Sequence, residues 1–286
     1  MKLFVTGATG FVGSHFVRHA IAAGHSVLAS HRRGAKTFDV DGLTWLEADL
    51  DALPTGKLMG CHALVHFAAV GVSPKRASRQ EMTYWNATVP QLLMESAREA
   101  NIQRVVMAGS FAEYGRSAER FELIPPDAPL LPTSAYAASK AASFVTCHAA
   151  AIELGLELCY LRVFSAFGDG QFDTNFWPAL RKAAMEGADF PMTAGEQLRD
   201  FVPVEDVARE FLYAVLRQDV IPAEPKTWNV GSGQPITIRE FAKSWWQQWN
   251  ATGKLQVGAI PYRPNEVRKF APLITDRAPT PIDSSA

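Results

Sequence analysis

Residues 2–13 read Lys-Leu-Phe-Val-Thr-Gly-Ala-Thr-Gly-Phe-Val-Gly, and this stretch decides the fold. The apolar run at its start predicts a buried strand, and the helical spacing of Ser14–Ala23 predicts a helix after the glycines. A second apolar run follows at Ser26–Ser30. A strand, a helix and a strand within about 30 residues imply a right-handed crossover and a parallel sheet.

The glycines of this stretch are spaced like those of a phosphate-binding loop. Gly7 permits a tight turn, Gly10 lets the backbone approach a pyrophosphate, and Gly13 lets the helix and the strand pack closely. The helix N-terminus then presents free N–H groups to the phosphates. Because the loop stands inside a β-α-β unit, we predict a dinucleotide site, with an ordinary glycine turn as the alternative. The other loop residues predicted to contact the dinucleotide are Thr9, Phe11 and Val12.

The alternation of strands and helices continues to residue 165. Further strands are predicted at Thr44–Glu47, Ala63–Phe67, Arg104–Ala108 and Glu157–Val163, and helices at Gln80–Ala100 and Tyr136–Leu154. Strands that are apolar throughout are typical of parallel sheets buried on both faces. The prediction is therefore an α/β fold, in which residues 1–165 form a dinucleotide-binding domain with a doubly wound, Rossmann-like parallel sheet.

After residue 165 the alternation is lost, and Pro, Gly and Trp recur. We predict that residues 166–286 form a smaller, mostly helical substrate-binding lobe. Two of its segments, Asp200–Val204 and Thr227–Val230, are expected to return to the sheet. The tryptophans of residues 245–249 have helical spacing and are interpreted as packing. The Pro/Ser-rich end, Ala278–Ala286, is expected to be disordered.

The composition disfavours several classes of protein. The 28 Lys and Arg residues and 29 Asp and Glu residues nearly cancel, whereas nucleic-acid binders and polybasic membrane proteins carry excess positive charge. The three cysteines form no C-x-x-C pair and fit free thiols in a reducing compartment. We find no apolar run of ~18 residues and no secretory signal, so we expect a cytoplasmic protein. His15 and His19 lack acidic or Cys neighbours in sequence, and no metal site is predicted.

The end of the second strand bears on the choice of cofactor. NAD-binding domains place an Asp or Glu there to hold the ribose hydroxyls. This chain instead has His31, Arg32 and Arg33. Guanidinium groups match a phosphate bidentately, so we favour NADP(H); NAD(H) remains possible if the arginines are a solvated loop pair. Asp49, followed by Leu50, is placed to accept from the adenine amino group, or else is a surface carboxylate.

A tyrosine and a lysine, Tyr136 and Lys140, lie one turn apart on a predicted helix. A free tyrosine has a pKa of about 10, and a nearby ammonium lowers it toward the range useful for proton transfer. Ser110 follows the strand Arg104–Ala108, where strand ends face the ligand crevice. We predict that Ser110, Tyr136 and Lys140 are catalytic, with Ser110 holding a substrate carbonyl beside Tyr136; a surface helix pair is the alternative.

Together these motifs resemble the extended short-chain dehydrogenases, the NAD(P)-dependent epimerase/dehydratase family that acts on nucleotide sugars. The resemblance covers nearly the whole chain. Besides the Gly-x-x-Gly-x-x-Gly loop and the catalytic residues, it rests on Tyr114-Gly115, His66-Phe67-Ala68-Ala69, Leu161-Arg162-Val163-Phe164, Arg199-Asp200-Phe201-Val202 and Asn229-Val230-Gly231-Ser232-Gly233.

The resemblance also implies roles for individual residues. Lys140 would anchor the cofactor as well as assist Tyr136, and Asn86 would lie on the helix below the site. The residues expected to border the nicotinamide and its ribose are Phe67, Ala68 and Ala69, and Val163 is assigned to the cofactor site with them.

Departures from the family's pattern narrow the chemistry. Sugar 4,6-dehydratases of this family carry an acid and a base directly after the hydroxyl residue, but Phe111 and Ala112 follow Ser110. We therefore predict that the chain is not a dehydratase. Ser165 stands where the family has Asn, and Asp169 where it has Pro, so the contacts to a sugar-nucleotide diphosphate are expected to differ.

The substrate side is predicted from arginines and aromatic residues. Arg199 and Arg263 are candidates to hold a diphosphate, with ion pairing to Asp200 or Glu266 as the alternative. Asn175 and its aromatic neighbours are candidates for a nucleotide pocket, or else are lobe core. Phe111 and Ser165 complete the predicted substrate contacts, with Ser110.

These inferences predict an NADPH-dependent reductase of a nucleotide-activated 4-keto-6-deoxyhexose, in which Tyr136 protonates the oxygen at C4. Three alternatives stay open: a nucleotide-sugar 4-epimerase with tightly held NAD, a reductase of a non-nucleotide carbonyl, and a non-catalytic NADP-sensing protein. The resemblance also implies a homodimer formed through the helices around Gln80–Ala100 and Tyr136–Leu154, although a core-facing stripe explains their apolar faces equally well.

Overall fold

The computed structural model describes residues 1–72, 74–264 and 266–278. The strands are β1 Lys2–Thr6, β2 Ser26–His31, β3 Leu43–Glu47, β4 Ala63–His66, β5 Arg104–Ser110, β6 Glu157–Val163, β7 Ser165–Phe167, β8 Phe190–Met192, β9 Leu198–Arg199, β10 Phe201–Pro203, β11 Lys226–Val230, β12 Ile236–Thr237, β13 Leu255–Val257 and β14 Lys269–Phe270. The helices are α1 Phe11–Ala22, α2 Arg79–Thr83, α3 Val89–Glu99, α4 Ala135–Leu154, α5 Phe176–Glu186, α6 Val204–Leu216 and α7 Ile238–Gln248.

Seven strands form one parallel sheet in the order β11-β6-β5-β4-β1-β2-β3. The chain builds the sheet outward from β1 in one direction and then, from β4 onward, in the other. The register at this reversal pairs Val5 with Val65 and Thr6 with His66. A reversal of strand order opens a crevice at the carboxyl ends of the strands, which is where such sheets bind ligands.

Apolar helices cover both faces of the sheet. On one face α1 and α6 pack against the strands through Phe16 and Phe211, and on the other α3 and α4 do so through Leu93 and Cys147. These four side chains are fully buried. Because both faces are covered, β1, β4, β5 and β6 are buried along nearly their whole length, and the predicted doubly wound sheet is confirmed.

Local sequence signals set the ends of α4, the longest helix. Ser134 caps its N-terminus by accepting a hydrogen bond of 3.2 Å from the N–H of Ala137. Gly155 ends it in the left-handed conformation, with φ of 64°. The helix predicted at Gln80–Ala100 is α2 and α3 joined by one π-helical turn, Tyr84–Thr88.

Of the two later segments expected to return to the sheet, one does. Thr227–Val230 lies in β11, which pairs with β6. The other expectation is wrong: Phe201–Pro203 pairs with β7 in a separate two-stranded sheet. The physical reason is that β7 begins just after β6 ends, and the N–H of Ser165 in β7 donates to the carbonyl of Asp200. The segment therefore pairs past the carboxyl end of β6, outside the main sheet.

The predicted lobe contains α5 and α7 together with short strands. Its core is aromatic, and Trp245 contacts Trp177 and Trp249 with ring centroids 5.7 and 5.0 Å apart. The interpretation of residues 245–249 as packing is therefore confirmed. The terminal segment expected to be disordered lies outside the described residues from position 279 onward. Within the described part of the chain, no helix is both long enough and apolar enough to cross a membrane.

Candidate active site

The glycine loop follows β1 at the reversal of strand order, and its geometry explains why these positions are glycines. Gly7 has φ of 70°, and a Cβ there would lie 2.5 Å from the backbone nitrogen of Ala68. At Gly13 a Cβ would lie 2.3 Å from the carbonyl oxygen of Gly7. The tight turn and the close packing of helix on strand are thus both present.

The N-terminus of α1 is open to an anion. Gly10 is its N-cap residue, and among the described residues no side chain caps it and no acidic group lies in its first turn. Uncapped N–H groups at a helix N-terminus form a site for phosphate. The residues present therefore fit a dinucleotide pyrophosphate.

One cleft runs from this loop along the carboxyl ends of the strands. It is lined by ten of the residues predicted to bind the cofactor: Gly7, Thr9, Gly10, His31, Arg32, Asp49, Leu50, Phe67, Ala68 and Ala69. The lining also includes residues that the sequence did not indicate, among them Ser30, His66, Lys75 and Trp85. The remaining predicted cofactor residues, Phe11, Val12, Gly13, Arg33, Tyr136, Lys140 and Val163, lie outside this set of lining residues in the described chain.

The end of β2 carries no carboxylate in this cleft. The side chain of Arg32 is exposed, and His31 is fixed beside it by a contact of 3.0 Å between its Nδ1 and the carbonyl of Arg32. The ring of His31 also meets Trp45 edge-on, with centroids 5.7 Å apart. Arg32 is therefore exposed where the cleft meets the end of β2 and can reach a ligand there.

The three predicted catalytic residues meet near the carboxyl end of β5. Ser110 is the last residue of that strand, and a hydrogen bond joins its side chain to that of Tyr136. The ammonium of Lys140 is buried and donates to the carbonyl of Ala108 at 2.6 Å. The strand end and the first turns of α4 therefore bring a hydroxyl, a phenol and an ammonium together.

The electrostatics of Tyr136 differ from the expectation. Burial and the carboxylate of Glu113 raise the pKa of Tyr136 to about 12, and only the hydrogen bond with Ser110 opposes them. The expectation that Lys140 lowers this pKa is not met in this structure. The ammonium is engaged by the carbonyl of Ala108, and Glu113 is the charge that acts on the phenol.

Asn86 lies in the π-helical turn and connects two parts of the site by hydrogen bonds. Its amide exchanges hydrogen bonds with the backbone of Val70, at 2.8 and 3.0 Å, and donates to Ser139 at 2.9 Å. Ser139 in turn donates to the carbonyl of Tyr136 at 2.8 Å. A π-helical turn often marks a functional position, and here it ties the loop after β4 to the catalytic helix.

Two buried residues beside the site were missed in the sequence. Glu113 and Arg162 form an ion pair of 2.6 Å with both side chains almost wholly inaccessible to solvent. The pattern Ser-x-x-Glu at residues 110–113 is a capping-box signal that points to Glu113. The pairing with Arg162 has no local signal, because the partners are 49 residues apart.

His66 is a further buried group at the cleft. Its Nδ1 contacts the hydroxyl of Thr6 at 2.7 Å, and its Nε2 has no hydrogen-bond partner among the described residues. Burial, helped by the charge of Lys140, lowers the pKa of His66 to about 3. The imidazole is therefore neutral at physiological pH.

The residues predicted to bind substrate are less closely grouped. Arg199 donates to the carbonyls of Leu198, Val267 and Arg268, and lies 3.7 Å from a carboxylate oxygen of Glu266. These contacts favour the structural alternative for Arg199, and its role in holding a diphosphate stays a prediction.

The other predicted substrate residues are at the surface of the lobe or near it. Arg263 is exposed in the loop before β14, and Asn175 precedes α5 half-buried. Phe111 packs on Phe270, with centroids 4.7 Å apart. Ser165 is half-buried at the start of β7. Within residues 1–72, 74–264 and 266–278, no three His, Cys, Asp or Glu side chains are grouped as metal ligands.

Known proteins share this fold and much of this sequence pattern. The model of the NAD dependent epimerase/dehydratase family matches residues 3–231. The UDP-glucose 4-epimerase of Corynebacterium glutamicum is 27% identical over 269 residues, covering 85% of this chain and 79% of that protein. The dTDP-6-deoxy-L-talose 4-dehydrogenase (NAD(+)) of Aggregatibacter actinomycetemcomitans is 25% identical over 276 residues, covering 92% and 96%.

A solved structure shows the same relationship. MoeE5 in complex with UDP-glucuronic acid and NAD superimposes with a TM-score of 0.84 at 27% identity, covering 96% of this chain and 90% of that one. The family match spans most of the chain, and it includes the glycine loop and the Ser110, Tyr136 and Lys140 group. The chain belongs to the NAD dependent epimerase/dehydratase family.

Proposed function

We propose that this protein is an NADPH-dependent reductase of a nucleotide-activated 4-keto-6-deoxyhexose. The observation that carries the proposal is the Ser110–Tyr136 hydrogen bond at the end of β5, beside the cleft that fits a dinucleotide. A relative named for 4-dehydrogenation of a dTDP-6-deoxy sugar supports chemistry at C4. Reduction of a 4-ketone is the reverse of such a step.

The reaction needs a hydride and a proton. When bound, the nicotinamide supplies the hydride. Tyr136 donates the proton to the C4 oxygen. Its phenol is protonated at neutral pH, and the raised pKa makes it a weaker acid than free tyrosine. Ser110 hydrogen-bonds the same oxygen, and Lys140, held by the carbonyl of Ala108, anchors the cofactor.

The structure argues against elimination of water as the main reaction. The residues directly after Ser110 carry no acid or base. The nearest carboxylate along the chain, Glu113, is fully buried and is engaged by Arg162. A carboxylate held in this way has no path to protonate or deprotonate a sugar.

The preference for NADPH rests on the end of β2. Arg32 lines the cleft where a ribose 2′-phosphate would lie, and no carboxylate competes for the ribose hydroxyls at residues 30–33. Against this preference, the 4-dehydrogenase relative is named for NAD(+), and MoeE5 was solved with NAD. The choice of cofactor therefore needs its own measurement.

The test follows loss of reduced cofactor with TDP- or CDP-4-keto-6-deoxyglucose as substrate. Wild type should consume NADPH stoichiometrically, and Tyr136→Phe should lower kcat by about 10²- to 10⁴-fold. Tyr213→Phe, at a half-buried tyrosine on α6, is the matched control and should leave kcat unchanged. Failure of wild type to consume either cofactor would overturn the reductase.

Cofactor choice is tested by Arg32→Ser. Loss of a charged contact to a 2′-phosphate should lower the preference for NADPH over NADH by about tenfold or more, equivalent to about 1.4 kcal/mol. Arg33→Ser is the comparison, because Arg33 lies outside the cleft lining among the described residues. A wild-type protein that prefers NADH would refute the Arg32 argument while leaving the reductase intact.

A nucleotide-sugar 4-epimerase is the second candidate. It is favoured by the UDP-glucose 4-epimerase relative and requires the same Ser110 and Tyr136. This candidate predicts NAD that stays bound through purification, no net consumption of NADPH, and interconversion of UDP-glucose and its 4-epimer. A non-catalytic sensor would bind the cofactor and do neither.

We also propose that the protein is a homodimer. Helix α4 leaves Val145 and Ile152 exposed by 59% and 48%, and Tyr84 on the adjacent π-helical turn is 41% exposed. A second copy of this face would cover these apolar groups. Sedimentation should give a dimer for wild type and a monomer for Val145→Glu; a monomeric wild type would refute the proposal.

A further inference from the structure

Glu113 lies directly behind the catalytic residues and is fully buried. Its Oε1 accepts from the N–H of Ser110 at 2.7 Å and from the hydroxyl of Tyr160 at 2.9 Å. Its Oε2 accepts from Nε of Arg162 at 2.6 Å. The N–H of Ser110 and the guanidinium of Arg162 can only donate, so the carboxyl group accepts on both oxygens, as the ionised form does.

Two arms lead from this carboxylate to the reacting groups. The first is Ser110, whose N–H is held by Glu113 while its Oγ accepts from the N–H of Ala112 at 3.2 Å. These two bonds fix both the backbone and the hydroxyl of Ser110. Neither bond uses the hydroxyl proton of Ser110, so the hydroxyl can still donate to an acceptor.

The second arm runs to the catalytic helix. The single hydroxyl proton of Tyr160 is within reach of two acceptors, Oε1 of Glu113 at 2.9 Å and the carbonyl of Lys140 at 3.1 Å, which share it. Position 109 is built around this arm, because a Cβ at Gly109 would lie 2.3 Å from the ring of Tyr160 and 3.0 Å from Oε1 of Glu113. Strand β5, the carboxylate of Glu113 and the ring of Tyr160 are thus closely packed, with no room for a side chain at position 109.

We propose that Glu113 is a positioning residue that fixes Ser110 and, through Tyr160, the helix of Tyr136 and Lys140, and that its carboxylate sets a negative charge beside the phenol. This inference rests on the proposed function for its meaning in catalysis. The carboxylate itself touches neither the substrate nor the cofactor cleft in the described chain.

The charged surroundings of Glu113 are defined from each packed element. Burial raises the pKa of Glu113 above its ordinary value, and Arg162 on β6 and Lys140 on α4 offset this only in part by stabilising its charge. The phenol groups of Tyr136 on α4 and Tyr160 on β6 face Glu113, and its charge raises the pKa of both. The charge of Glu113 therefore makes the phenolate of Tyr136 less stable.

The first test needs no substrate. Ionisation of Tyr136, one of six tyrosines, is read as tyrosinate absorbance within milliseconds of a pH jump, as the difference between each protein and its Tyr136→Phe counterpart. Glu113→Gln keeps the size and the acceptor oxygen but removes the charge. The midpoint of Tyr136 should fall by about one pH unit or more.

Glu113→Gln leaves the buried Arg162 without its partner, and it can fail to fold for that reason. The double variant Glu113→Gln/Arg162→Met removes both charges and should show the same lowering, since Glu113 and not Arg162 is the charge that acts on Tyr136. An unchanged midpoint in either folded variant would overturn the role of the charge.

Positioning is tested separately by Tyr160→Phe. This variant keeps the Glu113–Arg162 pair and breaks the arm to α4. It should leave the midpoint of Tyr136 near the wild-type value and lower kcat by about tenfold or more without a matching change in KM. Wild-type kcat in this variant would refute the second arm. If wild type shows no turnover, the reductase proposal fails while the absorbance titration still decides on Glu113.

Discussion

Gly13→Ala is predicted to weaken dinucleotide binding and to destabilise the fold. The new Cβ would lie 2.3 Å from the carbonyl oxygen of Gly7 and 2.9 Å from its carbonyl carbon. Real Cβ atoms essentially never approach closer than 3.0 Å, so the gap between α1 and the loop has to open by the difference, about 0.7 Å. Backbone atoms on both sides prevent a local adjustment.

The magnitude follows from two opposing effects. Overpacking of this kind costs about 1–3 kcal/mol, and the better helix propensity of alanine returns up to about 1 kcal/mol. The free energy of unfolding should therefore fall, by about 2 kcal/mol at most if alanine returns its full helix propensity. The same displacement moves the N–H groups of α1 away from the pyrophosphate, and the affinity for NADPH should fall by about tenfold or more.

The assay is a fluorescence titration with NADPH together with thermal unfolding. A graded series provides the controls: a Cβ at Gly10 would lie 3.1 Å from the carbonyl oxygen of Gly7, and one at Gly56 would meet nothing within 4 Å. Gly10→Ala should be intermediate, and Gly56→Ala should bind and unfold like wild type. Wild-type binding and stability in Gly13→Ala would refute the packing argument.

Three further predictions concern buried groups. Burial lowers the pKa of His66 to about 3, so its neutral form contributes stability above pH 6.5 that is lost as the pH falls from 6.5 toward 3. The free energy of unfolding measured with urea should fall by up to about 1.4 kcal/mol per pH unit in this window. His66→Asn should show a smaller fall. Arg104→Met should lower the free energy of unfolding by about 3 kcal/mol, because it leaves the carboxylate of Glu157 and carbonyls at the end of α6 without a donor. NADPH affinity should stay the same, and an unchanged melting temperature would contradict the prediction. All three thiols are buried with raised pKa values, so a disulfide reagent should modify them only after denaturation, and rapid reaction of the native protein would contradict it. The thiols are those of Cys61, Cys147 and Cys159.

Much of the nucleotide-binding half could be predicted because its signals are local. The strand period, the glycine spacing and the helix that follows lie within one short stretch, and each is a property of neighbouring residues. The approach of Ser110 to Tyr136 was also predictable, since strand ends and helix starts of a parallel sheet meet at one edge. Their charge environment was not: a local pattern points to Glu113, but its burial and its pairing with Arg162 depend on residues that are far apart in sequence.

The substrate side shows what local patterns leave open. Arg199 was interpreted as a phosphate ligand from its residue type, but its donors are engaged by carbonyls of residues 198, 267 and 268. The segment after it pairs with β7 and not with the main sheet. Both outcomes depend on contacts between residues that are far apart in sequence, and a period of two or 3.6 carries no information about them.

The protonation of Tyr136 links the missed residue to the direction of the reaction. A phenol with a pKa of about 12 is ionised at pH 7 only on the order of 10⁻⁵ of the time. Oxidation of a sugar alcohol needs a base at this position, whereas reduction of a ketone needs a donor. A positively charged oxidised nicotinamide would lower the pKa of Tyr136, but a reduced one carries no such charge. A phenol with the ordinary pKa of about 10 is also protonated at pH 7, so the charge of Glu113 acts mainly by making the phenolate, the base that oxidation needs, scarcer. Removing that charge should raise the kcat of oxidation relative to the kcat of reduction at neutral pH, with both substrates saturating, while the equilibrium constant of the reaction stays the same.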